Sequence, residues 1–244
     1  MIIFVDVGNS RIKICQLSDN QQMRLSSFQS QSVSESEALR FISLHHPDKV
    51  LVSAVSNEEF CHSLQLLCER ERIGFKRLMT AKCEHDVQVG YSQPTQLGID
   101  RWMAIIGASQ LSPGENLLVI DAGTATTLDL VSADKKHLGG WITPGVAMMI
   151  SSLYSNTTQV DGVFSIPDNL GFADNTSDNV NHGCWAMTVA AIEFAQKQAA
   201  RSNIEIDTIL ITGGNGKALM PYLDKNASYH QNLIFVGMSQ FIDN

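Results

Sequence analysis

The stretch IIFVDVGNSRIKICQL (residues 2–17) returns in pattern as LLVIDAGTATTLDLV (residues 117–131), with Asp6 falling on Asp121 and Gly8 on Gly123. Each copy is an apolar run, an Asp-x-Gly turn followed by amide or hydroxyl residues, and a second β-rich run. That order predicts a β-hairpin whose tip holds the aspartate and the glycine. Self-similarity on this scale makes the chain a tandem of two hairpin-led halves.

Working outward, KVLVSAVSNEEF (49–60) and DTILITGGNGKAL (207–219) also correspond, each an apolar strand ending in a small-residue turn before a helix. Ser34 with Glu37, and Ser56 with Glu59, have capping-box spacing and predict helix starts, the second over 57–72. Further helices are predicted over 100–111 and over about 181–201, where Trp185, Val189, Ile192 and Phe194 fall among the apolar positions. The Gln- and Ser-rich residues 20–34 predict a loop with one edge strand. Ser112, Pro113 and Gly114 break the helix before them, which divides the chain into 1–112 and 113–244. Strands alternating with helices in both parts predict an α/β fold, each half a mixed sheet with flanking helices.

With 244 residues, 44% of them hydrophobic, the chain can bury a full core without disulfides or metal staples. A net charge of −8 argues against a protein that neutralises a nucleic-acid backbone, and small partners are expected instead. Five cysteines form an odd set without a CxxC pair, as expected for reduced thiols in a cytoplasmic protein. The apolar N-terminal run is interrupted by Asp6 and has no basic flank, so no signal peptide is expected. No run approaches the about 18 apolar residues of a membrane span.

Two Asp-x-Gly turns would present backbone N–H groups to phosphate oxygens and carboxylates to cations, the requirements of a nucleotide site. In Asp6-Val7-Gly8-Asn9-Ser10-Arg11-Ile12-Lys13, Gly8 admits close backbone approach, Asn9 and Ser10 can donate hydrogen bonds, and Lys13 offers a point charge to phosphate. Lys13 also alternates with Ile12 and Ile14 as on any strand with one wet face, so both readings stand. Asp121-Ala122-Gly123-Thr124-Ala125-Thr126-Thr127 supplies hydroxyls and a carboxylate, which suit a phosphate edge plus a cation better than a bare anion. In Gly98-Ile99-Asp100-Arg101 the aspartate stands where an N-cap belongs. It is equally placed to accept a proton from a substrate hydroxyl, with Arg101 holding substrate or phosphate. Gly139 to Gly145 and Thr212 to Gly216 read as tight glycine-rich turns at helix starts, which bind anions.

Taken together and in order, Asp-x-Gly-Asn-Ser-x-x-Lys, Gly-x-Asp-Arg, Asp-x-Gly-Thr-Ala-x-Thr, Gly-Gly-x-Ile-x-Pro-Gly and Thr-Gly-Gly resemble type III pantothenate kinase over residues 6 to 216. The resemblance implies two tandem actin-like (ribonuclease H-like) halves with a nucleotide cleft between them, and a homodimer. It implies transfer of the γ-phosphate of ATP, with Mg2+, to pantothenate, the first step of coenzyme A biosynthesis. Residue by residue, Asp6, Val7, Gly8, Asn9, Ser10, Arg11, Ile12 and Lys13 match the family's phosphate turn, and Thr124 matches a second ATP contact. Asp100 matches the general base, while Tyr91, Gly98, Ile99, Asp100, Arg101 and Thr176 match substrate positions. Asp121 matches the ligand of a monovalent cation, K+ or NH4+. Two departures are Ser10, where Thr is more usual, and Asn215, where an acidic residue is common.

Other readings are weighed beside it. An idle regulatory relative would be free to lose Asp6, Asp100 or Asp121, and this chain keeps all three. A sugar or acyl-acid kinase of the same fold would share the nucleotide turns but not Gly-x-Asp-Arg. Cys83-Glu84-His85-Asp86 has sequential neighbours that point different ways and is not read as a metal site. His45, His46 and His62 are read as surface or packing residues, and Met148-Met149-Ile150 as core or dimer contact.

Overall fold

The computed structural model describes residues 1–17, 28–156 and 163–243. Along the chain run β1 (Ile2–Val7), β2 (Ile12–Leu17), β3 (Phe28–Val33), α1 (Glu35–His45), β4 (Lys49–Ala54), α2 (Glu58–Glu71), β5 (Gly74–Arg77), β6 (Cys83–Glu84), β7 (Val87–Gln88) and α3 (Ile99–Leu111). There follow β8 (Leu117–Ala122), β9 (Ala125–Val131), β10 (His137–Pro144), α4 (Val146–Asn156), α5 (Thr176–Arg201), β11 (Thr208–Thr212), α6 (Gly216–Leu219), β12 (Ala227–Tyr229) and α7 (Leu233–Ser239). The chain forms two compact units, one of Met1–Leu111 with the segment from Asn232 on, the other of Ser112–Gln231.

In the first unit the sheet order is β3-β2-β1-β4-β5, with β1, β2 and β3 antiparallel and β1, β4 and β5 parallel. Side chains alternate across a strand, so Ile3, Val5 and Val7 of β1 share one face with Ile12 and Ile14 of β2 and Val50 and Val52 of β4. That face packs on Ala38 and Ile42 of α1 and Phe60, Leu64 and Leu67 of α2. Each large side chain so buried stabilises the fold by about 1.5–3 kcal/mol. The opposite face carries Phe4, which meets Phe235 of α7 at a ring-centroid distance of 6.4 Å.

The edge strand expected within 20–34 is β3, and residues 20–27 of the expected loop lie outside the described residues. Ser34 and Glu37 form the expected capping box on α1: the Glu37 N–H donates to Ser34 Oγ and the Ser34 N–H donates to Glu37 Oε2 at 2.7 Å. The expected box at Ser56 is not formed. Asn57 caps α2 instead, its Oδ1 accepting from the Phe60 N–H at 3.2 Å, while Ser56 Oγ donates to the Gly8 carbonyl.

Assigning all of 113–244 to a second half also differs from the observed grouping, because α7 packs in the first unit. The cause is a close helix crossing. A Cβ at Gly237 would stand 1.9 Å from the Met103 carbonyl oxygen of α3, and one at Gly107 would stand 2.4 Å from the Leu233 carbonyl oxygen. Two glycines let the backbones of α3 and α7 touch.

The second unit repeats the strand order as β10-β9-β8-β11-β12, with the same senses. Leu118, Ile120 and Ala122 of β8, Leu128 of β9 and Ile209 and Ile211 of β11 pack on Val146 and Ile150 of α4 and on Trp185, Val189 and Ile192 of α5. Ile150 lies in this core, whereas Met148 is exposed. Helix α5 begins at Thr176, earlier than its apolar pattern, because Asn175 Oδ1 accepts from the Asp178 N–H at 3.0 Å and caps a polar first turn. Residues 139–144 are not a tight turn: they extend β10, with a bulge between His137 and Gly139, and only Gly145 stands at a helix start.

Candidate functional site

In the first unit the site is organised by register. Asp6 is the penultimate residue of β1 and only 6% exposed. It pairs with Lys13 across β2 and with Ser53 across β4, so all three side chains project on the face opposite α1 and α2. The tip beyond it is closed by the Gly8 N–H donating to the Arg11 carbonyl at 3.0 Å, which leaves Asn9, Ser10 and Arg11 exposed. Val7 and Ile12 turn into the core and contribute backbone to the tip.

Helix α3 starts at the same end of the sheet. The Leu78 N–H donates to the Val52 carbonyl at 2.8 Å as the chain leaves β5, and Thr80 Oγ1 donates to the Leu97 carbonyl at 2.8 Å. A short 3-10 turn over Pro94–Gln96 then leads into α3. Asp100 therefore lies at the C-terminal end of the parallel strands, where open α/β sheets bind ligands. It is the second helical residue and not the cap, since the Trp102 N–H donates to the Gly98 carbonyl at 3.0 Å and the helix already includes Ile99. Its Oδ1 accepts from the Arg101 N–H at 2.7 Å. Gly98 gives this carboxylate its room, because a Cβ there would stand 2.7 Å from Asp100 Oδ1.

Arg101 is 6% exposed; its guanidinium donates to the Tyr91 hydroxyl at 3.1 Å and stands 5.9 Å from that ring's centroid. Tyr91, Gly98, Ile99, Asp100 and Arg101 are thus gathered around one helix start. The Cys83–Asp86 run folds as the β6–β7 hairpin, with His85 and Asp86 both at positive φ in its two-residue turn.

In the second unit Asp121 occupies the equivalent of Asp6, with Thr127 across β9 and Thr212 across β11. The tip closes by the Gly123 N–H donating to the Ala125 carbonyl at 3.0 Å, and the Gly145 N–H donates to the Thr124 carbonyl at 3.1 Å. From the other side the Asn215 N–H donates to the Ala122 carbonyl at 2.9 Å. Gly213, at φ +89°, lies so close that a Cβ would stand 2.4 Å from Asp121 Oδ1. The Tyr229 hydroxyl donates to the Gly213 carbonyl at 3.4 Å, and burial followed by the charge of Asp121 pushes that phenol above its ordinary range. Thr124 is exposed at the tip. Thr176 opens α5 and is exposed, and none of the contacts that gather the tip involves it.

Among the described residues, no group of three or more His, Cys, Asp or Glu side chains could hold a metal ion, and no helix is long and apolar enough to cross a membrane. Ser53 and Tyr229 escaped the sequence reading, and Thr212 entered it only as the start of a glycine-rich turn. Ser53 and Tyr229 lie on strands distant in the chain from Asp6 and Asp121, and only for Ser53 did the expected correspondence of 49–60 with 207–219 point that way.

A family model described as type III pantothenate kinase matches residues 2–198. A type III pantothenate kinase of Colwellia psychrerythraea is 39% identical over 244 residues, covering 100% of this chain and 96% of the relative. Among solved structures, a conserved protein of Campylobacter jejuni described as a Baf family transcriptional activator superposes with a TM-score of 0.65 at 24% identity, over 99% of this chain and 97% of that one. A glucokinase from an Antarctic psychrotroph superposes with a TM-score of 0.50 at 9% identity, over 100% and 98%. The two structural likenesses show the fold alone, that of the sugar-kinase and actin-like ATPases.

Proposed function

Since the chain belongs to the type III pantothenate kinase family and so phosphorylates pantothenate with ATP in coenzyme A biosynthesis, we propose that Asp100 is the general base of that transfer. The observation that carries this reading is the place of Asp100 in the first turn of α3, at the strand ends that also carry Asp6. An alcohol is a poor acid, so a carboxylate that accepts its proton late in phosphoryl transfer contributes about 100-fold to 10,000-fold. The larger share of catalysis is positioning and charge.

In this reading the Asp6 to Lys13 turn holds the triphosphate through its N–H groups and the Lys13 ammonium, and Thr124 makes a second ATP contact. Magnesium enters with the triphosphate as part of the substrate. The paired Arg101 and Tyr91, beside Gly98 and Ile99, suit the carboxylate of pantothenate. Thr176 is a further substrate contact.

Asp121 would hold the monovalent cation, K+ or NH4+. Its donor set fits: a carboxylate in register with two neutral hydroxyls, approached closely by the backbone of a glycine. When bound, the cation offsets phosphate charge.

The same reading makes the protein a cytoplasmic homodimer. Supporting that, the cysteines are free thiols, and Trp141 is stacked on Phe194 at 5.8 Å with Ile142 64% exposed nearby in sequence.

The test is ADP release by purified protein given ATP, magnesium and pantothenate, in potassium and in sodium alone. Turnover that requires pantothenate and potassium, and falls at least 100-fold in Asp100→Asn with ATP still bound, is expected. Unchanged turnover in that variant would remove Asp100 from the base role.

A further inference from the structure

Ser53 is 0% exposed, and its Oγ has no hydrogen-bond partner among the described residues. A buried hydroxyl left unpaired costs stability that alanine at the same place would not, so packing alone gives no reason for a serine. Its neighbour does. Ser53 is in parallel register with Asp6, on strands about 4.8 Å apart, and both project on the face away from the α1–α2 core. A serine hydroxyl in that position reaches a carboxylate beside it by choice of rotamer.

The second unit makes the same pairing with different residues. There Thr212 stands in parallel register with Asp121 and is 2% exposed, its hydroxyl making a long 3.5 Å contact with the Gln231 carbonyl. Sequence distance cannot account for the coincidence, because each hydroxyl lies on a strand separated from its aspartate by a full crossover. A buried hydroxyl beside the aspartate is common to both halves.

We propose that Ser53 is a positioning residue for the phosphate site: in the ATP-bound protein its hydroxyl donates to the Asp6 carboxylate and fixes the orientation in which that carboxylate meets the magnesium triphosphate. The inference rests on the reading of the Asp6 turn as the phosphate site. Removing one hydrogen bond to a charged group corresponds to about a tenfold change or more in the equilibrium it supports.

Steady-state kinetics and thermal unfolding of Ser53→Ala, Ser53→Cys and Ser53→Thr, each also combined with Asp6→Asn, provide the test. Ser53→Ala is expected to raise KM for MgATP about tenfold, with KM for pantothenate unchanged and Tm equal or higher. Ser53→Cys, which keeps the volume but donates weakly, should behave like alanine, and Ser53→Thr should return KM to within about twofold, since threonine keeps the donor that alanine lacks. On the Asp6→Asn background the serine substitutions should add nothing. Wild-type kinetics in Ser53→Ala would overturn the proposal, as would losses that follow a fall in Tm and that threonine does not rescue. Additive effects in the combined variants would overturn it too. If Asp6→Asn by itself leaves KM for MgATP unchanged, the phosphate-turn reading fails, and the role given to Ser53 fails with it.

Discussion

The β1–β2 hairpin and the β8–β9 hairpin place an aspartate at the same point of the same sheet topology, yet they surround it differently. Asp6 has an ammonium across one strand, Lys13, and the hydroxyl of Ser53 across the other. Asp121 has hydroxyls on both sides, Thr127 and Thr212, and Gly213 pressed against its carboxylate. The residue following Ser53 is Ala54, in ordinary strand backbone, where the second unit has Gly213 at φ +89°. Duplicated topology has therefore been given two electrostatic characters. One aspartate lies in register with a lysine, and the other with two threonines.

Making the second unit resemble the first at its tightest point should have the largest effect. Gly213→Ala forces a left-handed alanine and drives a Cβ toward Asp121 Oδ1 and the Ala122 backbone. A shift near 1 Å in a positioned group is expected to lower kcat/KM for MgATP about 100-fold, measured by ADP release. Near-normal turnover in that variant would mean the close contact is packing only.

Thr127→Lys sharpens the comparison more gently, by placing an ammonium in register with Asp121 as Lys13 is with Asp6. Stimulation by potassium over sodium is expected to shrink about tenfold, read from paired titrations of the two salts. A potassium response as large as in the parent protein would detach the cation from Asp121.

The smallest effect concerns helix starts, which both units cap by side chain. Ser34→Ala on α1 and Asn175→Ala on α5 should each cost about 1 kcal/mol in denaturant unfolding, with kinetics unchanged for the first. A larger loss of pantothenate affinity in Asn175→Ala would tie the α5 start, and Thr176 with it, to substrate.

What could be read from the chain alone followed from local physics. The two hairpins, the Ser34–Glu37 box and the span of α3 depend on residues within a few positions of one another. Asn57 displaced Ser56 as a cap by entering the left-handed region, a choice that capping-box spacing does not encode. Asp100 moved from cap to first turn because the helix starts at Ile99, with the Gly98 carbonyl already accepting from the Trp102 N–H. The pairing of Asp6 with Ser53 spans more than 40 residues, so Ser53 read as one more small residue in an apolar run.

The crossing of α3 and α7 through Gly107 and Gly237 has a consequence for how the chain is made. Synthesis proceeds from the N-terminus at about 5–20 residues per second, and a domain ordinarily closes once its own segment has emerged. Here the first unit receives its closing helix from a segment that follows the whole of the second unit. Until then the α3 surface around Gly107 stays open while residues 112–231 of the second unit have all been made, so the half made earlier is the half that closes later.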